Sequence, residues 1–173
     1  MTNPSVICVA NRLDNIDSAS DVYTPSGEDS TYKDHTEPQG DSNTAIYITK
    51  PSQLENTATG IKLFLDVHKS PSSEVKAMYR VLPSEGEDDI RNIPFTFFNA
   101  GTGGGGLPDN EVATNAQDRF DFVEYKYTAG ITDNGAGTEL QDFQQFQIKL
   151  VMQGTNAAAP PRIMNLRGIA LAT

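Results

Sequence analysis

Phe143-Gln144-Gln145-Phe146-Gln147-Ile148-Lys149-Leu150-Val151-Met152 is the stretch that decides the fold. Phe146, Ile148, Leu150 and Met152 recur at every second residue, with Gln145, Gln147 and Lys149 between them and Val151 as the exception. Successive side chains of a strand point to opposite sides of the pleat, so the pattern predicts a strand buried on one face. A helix is a poor alternative, because apolar residues at i, i+2, i+4 and i+6 cannot share one helical face. Gly154 to Pro161 then turns the chain, and Ile163 to Ala172 reads as a second strand. The expectation is a hairpin-like ending that closes the core.

Upstream, the same logic finds more strands. Ala45 to Lys50 is strand-prone and stops at Pro51. Ile61, Leu63, Leu65 and Val67 share one face, as do Val75, Ala77, Tyr79 and Val81, with Pro71-Ser72-Ser73 between the two runs. This pair is expected to form an antiparallel hairpin. Pro83 to Asn92 reads as an acidic loop, Pro94 to Phe98 as a short aromatic strand, and Gly101 to Gly106 as a glycine loop. Asp121 to Thr128 reads as a strand with Val123, Tyr125 and Tyr127 on one side. Seven or eight short strands separated by Gly and Pro turns predict an all-β antiparallel β-sandwich, jelly-roll-like.

Residues 11 to 44 differ in character. Eight acidic residues (Asp14, Asp17, Asp21, Glu28, Asp29, Asp34, Glu37, Asp41) face only Arg12 and Lys33, and few large apolar side chains interrupt them. Alone, such a segment buries too little surface to offset its ordering entropy. Two readings stand: a long solvated loop, or an extended arm that orders against a neighbouring subunit with Tyr23 and Tyr32 as anchors. The chain therefore divides into residues 1–44, a short strand at Ser5 to Ala10 plus the acidic arm, and residues 45–173, the sandwich.

Composition limits the function. A formal net charge of −10 argues against a nucleic-acid binder, whose affinity comes from neutralising phosphates, and against docking on an anionic membrane. The lone Cys8 excludes an internal disulfide framework and any cysteine-rich zinc site. No secretory signal or membrane-length apolar run is visible, so a soluble chain made in a reducing cytoplasm is expected.

The motifs that tempt an enzymatic reading lack context. Gly101, Gly103 and Gly106 satisfy G-x-G-x-x-G, but Leu107-Pro108-Asp109 follows instead of a helix. Asp133, Asn134, Glu139 and Asp142 offer oxygen ligands to calcium, but without the spacing of an EF-hand, and an Asn-Gly turn beside a strand is sufficient explanation. His35 and His68 are the only histidines, and a Cys8–His68 pair has no local support as nucleophile and base. No catalytic residue, no cofactor and no enzymatic activity are expected. For a glycan, the exposed aromatic candidates are Tyr23, Tyr32 and Phe97 or Phe98; the competing reading is an aromatic core.

Several segments carry a family likeness: Ala45-Ile46-Tyr47-Ile48-Thr49-Lys50-Pro51, Val75 to Leu82, Phe146 to Met152, Thr155-Asn156, Pro161-Arg162-Ile163, and Leu166-Arg167-Gly168-Ile169-Ala170-Leu171. Together with Asn11-Arg12-Leu13-Asp14 and Asp21-Val22-Tyr23, they resemble the C-terminal β-domain of virion structural proteins of contractile-tailed marine phages, including cyanophages. In that family the domain often ends much longer tail or baseplate polypeptides; a chain beginning at Met1 is then a short stand-alone version or an excised piece. The resemblance implies a virion component of tail, baseplate or fibre attachment, assembled in the bacterial host cytoplasm. Its implied partners are other virion proteins, with homo-oligomers possible, and it transfers no catalytic residues. The alternative is a receptor- or carbohydrate-binding module at a fibre tip.

Overall fold

The computed structural model describes residues 45–71, 73–86, 89–99, 105–112, 114–115, 117–130, 138–154 and 159–172. The described strands are β1 (Ala45–Ile48), β2 (Ser52–Ala58), β3 (Gly60–His68), β4 (Ser73–Pro83), β5 (Thr96–Phe97), β6 (Val123–Ala129), β7 (Phe143–Gly154) and β8 (Arg162–Leu171). A 3-10 turn, Ile90–Asn92, precedes β5. Two antiparallel sheets pack face to face. One holds five strands in the order β1-β7-β4-β5, with β2 pairing β7 beside β1; the other runs β6-β3-β8.

The buried set is the one the period-two pattern marks. Ile61, Leu63, Leu65 and Val67 of β3 are sealed from solvent, and Phe146, Ile148, Leu150 and Met152 of β7 are buried against them. Tyr125 and Tyr127 of β6 join the same cluster, and the Tyr127 ring stands 6.0 Å from that of Phe98. At about 25 cal/mol per Å² of apolar surface, each such side chain contributes on the order of 1.5–3 kcal/mol.

Both expected hairpins are overturned. β3 and β4 lie in different sheets, and so do β7 and β8. β4 pairs instead with β7 from Ser73↔Gly154 to Pro83↔Phe143, and β3 lies between β6 and β8. The chain passes from one sheet to the other between β3 and β4, so that their apolar faces meet across the sandwich and not edge to edge. Alternation tells which face of a strand is apolar; it is silent on which strand lies beside it.

A second correction concerns β7. Gln147 and Lys149, expected to face solvent, are buried, and Val151 with them. The segment from Ile90 to Phe95 folds back over that face, where Met78, Phe95 and Val151 form a second apolar cluster, before β5 pairs with β4 and Phe98 enters the main core. Part of the loop expected over Pro83 to Asn92 is a 3-10 turn whose N-cap is Asp89. β2 has no counterpart in the sequence reading, because Ser52-Gln53-Leu54-Glu55-Asn56-Thr57-Ala58 shows no apolar alternation; it is recruited by pairing with β7.

Gly106 ends the glycine loop against the edge of β4. Its carbonyl accepts from Ala77 N–H (2.8 Å), and its own N–H donates to Phe98 O (2.6 Å). At φ +84, with a Cβ that would meet Phe97 Cδ1 at 2.6 Å, the position admits glycine only. Gly106→Ala is expected to cost about 1–3 kcal/mol, through the left-handed backbone plus the clash. Urea unfolding checks this; a loss under about 0.5 kcal/mol would mean that neither the left-handed backbone nor the Phe97 contact resists a Cβ there.

Candidate docking surface

The two sheets differ in what covers their outer faces. On the five-stranded sheet the Ile90–Phe95 segment is fastened by Arg80. Its Nε and Nη2 donate to Gln147 Oε1, and its Nη1 donates to Arg91 O (2.9 Å) and Ile93 O (3.1 Å). The guanidinium also stacks over the Phe95 ring at 4.4 Å, and the Lys149 ammonium approaches the same ring at 5.6 Å. Gln147 in turn donates to Thr49 O, tying β7 to the end of β1.

The three-stranded sheet turns a different face outward. With Ile61, Leu63, Leu65 and Val67 pointing in, Lys62, Phe64, Asp66 and His68 point out. The register sets Lys62 beside Thr128 and Ile169, Phe64 between Lys126 and Arg167, and Asp66 between Glu124 and Met164. Ile169 is 47% exposed, and the Arg167 and Glu124 side chains keep 60% and 50% of their surface in solvent. Arg167 pairs with Glu124 and lies over the Phe64 ring at 5.5 Å. A bulge between Phe64 and Asp66 places Asn165 at φ 54, where its amide donates to Asp66 Oδ2 at 2.6 Å. Asparagine tolerates that left-handed conformation because its short side chain bonds locally.

Electrostatically this face runs against the rest of the chain. Lys62, Lys126, Arg162 and Arg167 stand against Asp66, Glu124 and Asp109, whose carboxylate accepts from Thr128 Oγ1 at 2.8 Å, one cation more than the carboxylates on a protein of net charge −10. Phe64, Met164 and Ile169 give it an apolar centre. Cations set around an apolar patch can hold an acidic, aromatic-bearing polypeptide: the charges orient it, and the apolar side chains supply contact area.

The other predicted site residues do not gather. Tyr23, Tyr32, His35, Cys8, Asp133 and Asn134 lie outside the described residues, as do Gly101 and Gly103 and the strand expected at Ser5 to Ala10. Glu139 and Asp142 are exposed on the approach to β7. Among the described residues no group of three His, Cys, Asp or Glu could hold a metal ion. Phe98, a candidate sugar platform, is fully buried, and Phe97 is half-buried over Gly106 and Lys76. Among the described residues the exposed ring is Phe120, 73% accessible with the Arg119 guanidinium 4.7 Å above it. Sequence reasoning passed over it, because Leu107 to Arg119 has no periodicity and Phe120 falls just before the strand.

His68, at the end of β3, is buried under Phe122, 5.9 Å between ring centroids. Among the described residues neither of its ring nitrogens has a hydrogen-bond partner. Next to it, Lys69 pairs with Glu111, and Lys69 N donates to Thr114 Oγ1 at 3.0 Å, which ties the loop before β6 to the end of the sandwich.

Comparison with known protein families, curated proteins and solved structures finds no match.

Proposed function

We propose that this protein is a structural component of a phage virion, in the tail, baseplate or fibre attachment, and that it acts by protein–protein assembly. The observation that carries the reading is the asymmetry of the sandwich. One sheet is sealed over β7 by the Arg80-fastened segment, while the other leaves a cationic, partly apolar face in solvent. The segments that carry the resemblance to virion proteins support the same reading, since most of them fall on β1, β4, β7 and β8. A jelly-roll-like course and an extended acidic arm at residues 11 to 44 complete the proposal. The sandwich is the rigid body, and its chemistry is surface complementarity.

Two experiments test this. Mass spectrometry of purified particles from a lysate in which the chain is expressed should find it in stoichiometric amount; a protein that stays in the soluble fraction is not a virion part. Deleting residues 1–40 should leave a folded monomer with reduced assembly. A truncated chain that fails to fold would assign the arm to the core instead.

A further inference from the structure

We infer that the loop leading into β6, from Asn115 to Phe122, is a saccharide-binding site, with the Phe120 ring as the platform on which an uncharged pyranose stacks. The inference is independent of the assembly reading. Phe120 is 73% exposed, and the Arg119 guanidinium lies 4.7 Å from the centre of its ring. With Arg119 over one face, that exposure leaves the other face in solvent. The face of an aromatic ring is electron-rich, and the C–H bonds on one side of a pyranose are weakly positive, so the two stack. The loop holds the ring ready. Asn115 N donates to Asp121 Oδ2, Phe120 N to Asp118 Oδ1 (2.9 Å), Asp118 N to Asn115 O (3.0 Å) and Asp121 N to Asp118 O (3.1 Å). Phe122 pins the end of the loop: its ring lies 5.9 Å from that of His68 and under the Arg162 guanidinium at 5.6 Å. A platform preformed in this way loses little conformational freedom on binding.

The polar groups beside the ring suit sugar hydroxyls. Among the described residues Asp118 Oδ2, Asp121 Oδ1, Asn115 Nδ2 and the Gln117 amide have no hydrogen-bond partner, so acceptors and donors stand together on one short loop. Charge selects neither an anion nor a cation, because Asp118 and Asp121 are offset by Arg119 and Arg162. A protein partner fits less well. A stable interface buries about 800 Å² on each side. Phe120 instead stands among polar side chains, and Val112 is the other exposed large apolar residue described between 105 and 122. One ring's worth of apolar contact, rimmed by hydrogen-bonding groups, matches one sugar.

The full chain is the material for the test. The probe is an array of neutral hexose and N-acetylhexosamine oligosaccharides, with sialylated and sulfated oligosaccharides as charged counterparts. Dense display is needed, because a single stacked ring gives a Kd on the order of 1 mM. The parent should bind neutral members of the array. Phe120→Ala should weaken that binding at least about tenfold, while Phe120→Trp, which keeps a stacking face, stays within about threefold of the parent. Gln117→Ala, in an exposed side chain without a bond of its own, should weaken it about threefold or more. Ile169→Ala, exposed on β8, should leave it unchanged. Circular dichroism and urea unfolding establish that each variant is folded. A parent that binds no neutral oligosaccharide, binding confined to the charged members, or a folded Phe120→Ala that binds like the parent overturns the inference. A chain found in particles that fails on the array leaves the virion reading standing. Sugar binding by a chain absent from particles removes the virion reading alone.

Discussion

Replacing Arg80 with leucine is expected to destabilise the protein by about 3–5 kcal/mol, the cost of removing one partner from a buried, charge-assisted network. Arg80 is buried on β4 and, among the described residues, donates twice to the Gln147 side chain and once each to Arg91 O and Ile93 O. Leucine fills much of the volume but leaves the Gln147 oxygen and two backbone carbonyls without that donor. Lysine should recover only part of the loss, because one ammonium cannot reproduce the planar fork that reaches Gln147 and both carbonyls together.

The double variant Arg80→Leu, Gln147→Leu should be less destabilised than the sum of the singles, since it removes donor and acceptor together. Urea unfolding measures all three, read as midpoint shifts at constant slope. Hydrogen exchange adds location: the single variant should lose protection first over residues 89–99, whose cover depends on this contact. A midpoint change worth less than about 1 kcal/mol in Arg80→Leu would show that the segment is held by Phe95 and the apolar cluster alone.

Stability should also collapse in base, from about pH 10 upward. Burial, reinforced by the charge of Glu111, pushes the Tyr125 hydroxyl up to about 12. Burial raises Tyr127 further and raises Tyr79 as well. In the unfolded chain these phenols ionise near pH 10. Between that value and the folded one, the unfolded state binds fewer protons than the native state, so stability falls as pH rises. The stabilisation is therefore fully present below about pH 10 and is lost as pH passes through the folded values. For a buried phenol such as Tyr127 the loss is about 1.4 kcal/mol per pH unit.

Tyr127→Phe isolates the effect. The hydroxyl it removes donates only a long 3.5 Å bond to Val75 O, so neutral-pH stability should change little, while the alkaline midpoint should move upward. Tyr125→Phe is a less clean probe, because its hydroxyl donates to Val112 O at 2.8 Å and holds the loop before β6. Circular dichroism against pH for parent and variant decides the matter; coincident alkaline transitions would mean that Tyr127 does not govern base unfolding.

The core was legible residue by residue. Phe146, Ile148, Leu150 and Met152 follow from β7, and Ile61, Leu63, Leu65 and Val67 from β3, because a one-residue slip would turn every apolar side chain to the wrong face. The second layer was not. Lys149 and Gln147 read as solvent-facing, yet they are buried under a segment more than fifty residues away in sequence. The docking face was readable only in pieces. Lys62, Lys126 and Arg167 are unremarkable along the chain and become a cationic patch only when β6 and β8 flank β3.

What the amino-acid sequence determined alone is therefore the class of the fold: antiparallel strands, their apolar faces, the turns between them and the acidic character of residues 11 to 44. Those features are local, written in side-chain alternation and composition. Lateral order was decided by tertiary structure. The pair that opens and closes Phe143–Leu171 splits between two sheets, because alternation specifies a face to bury and leaves open whether the next strand joins the same layer or the facing one. Burying β3 against β4 and β8 over β7 seals one common core between two layers, which neither hairpin could do lying flat.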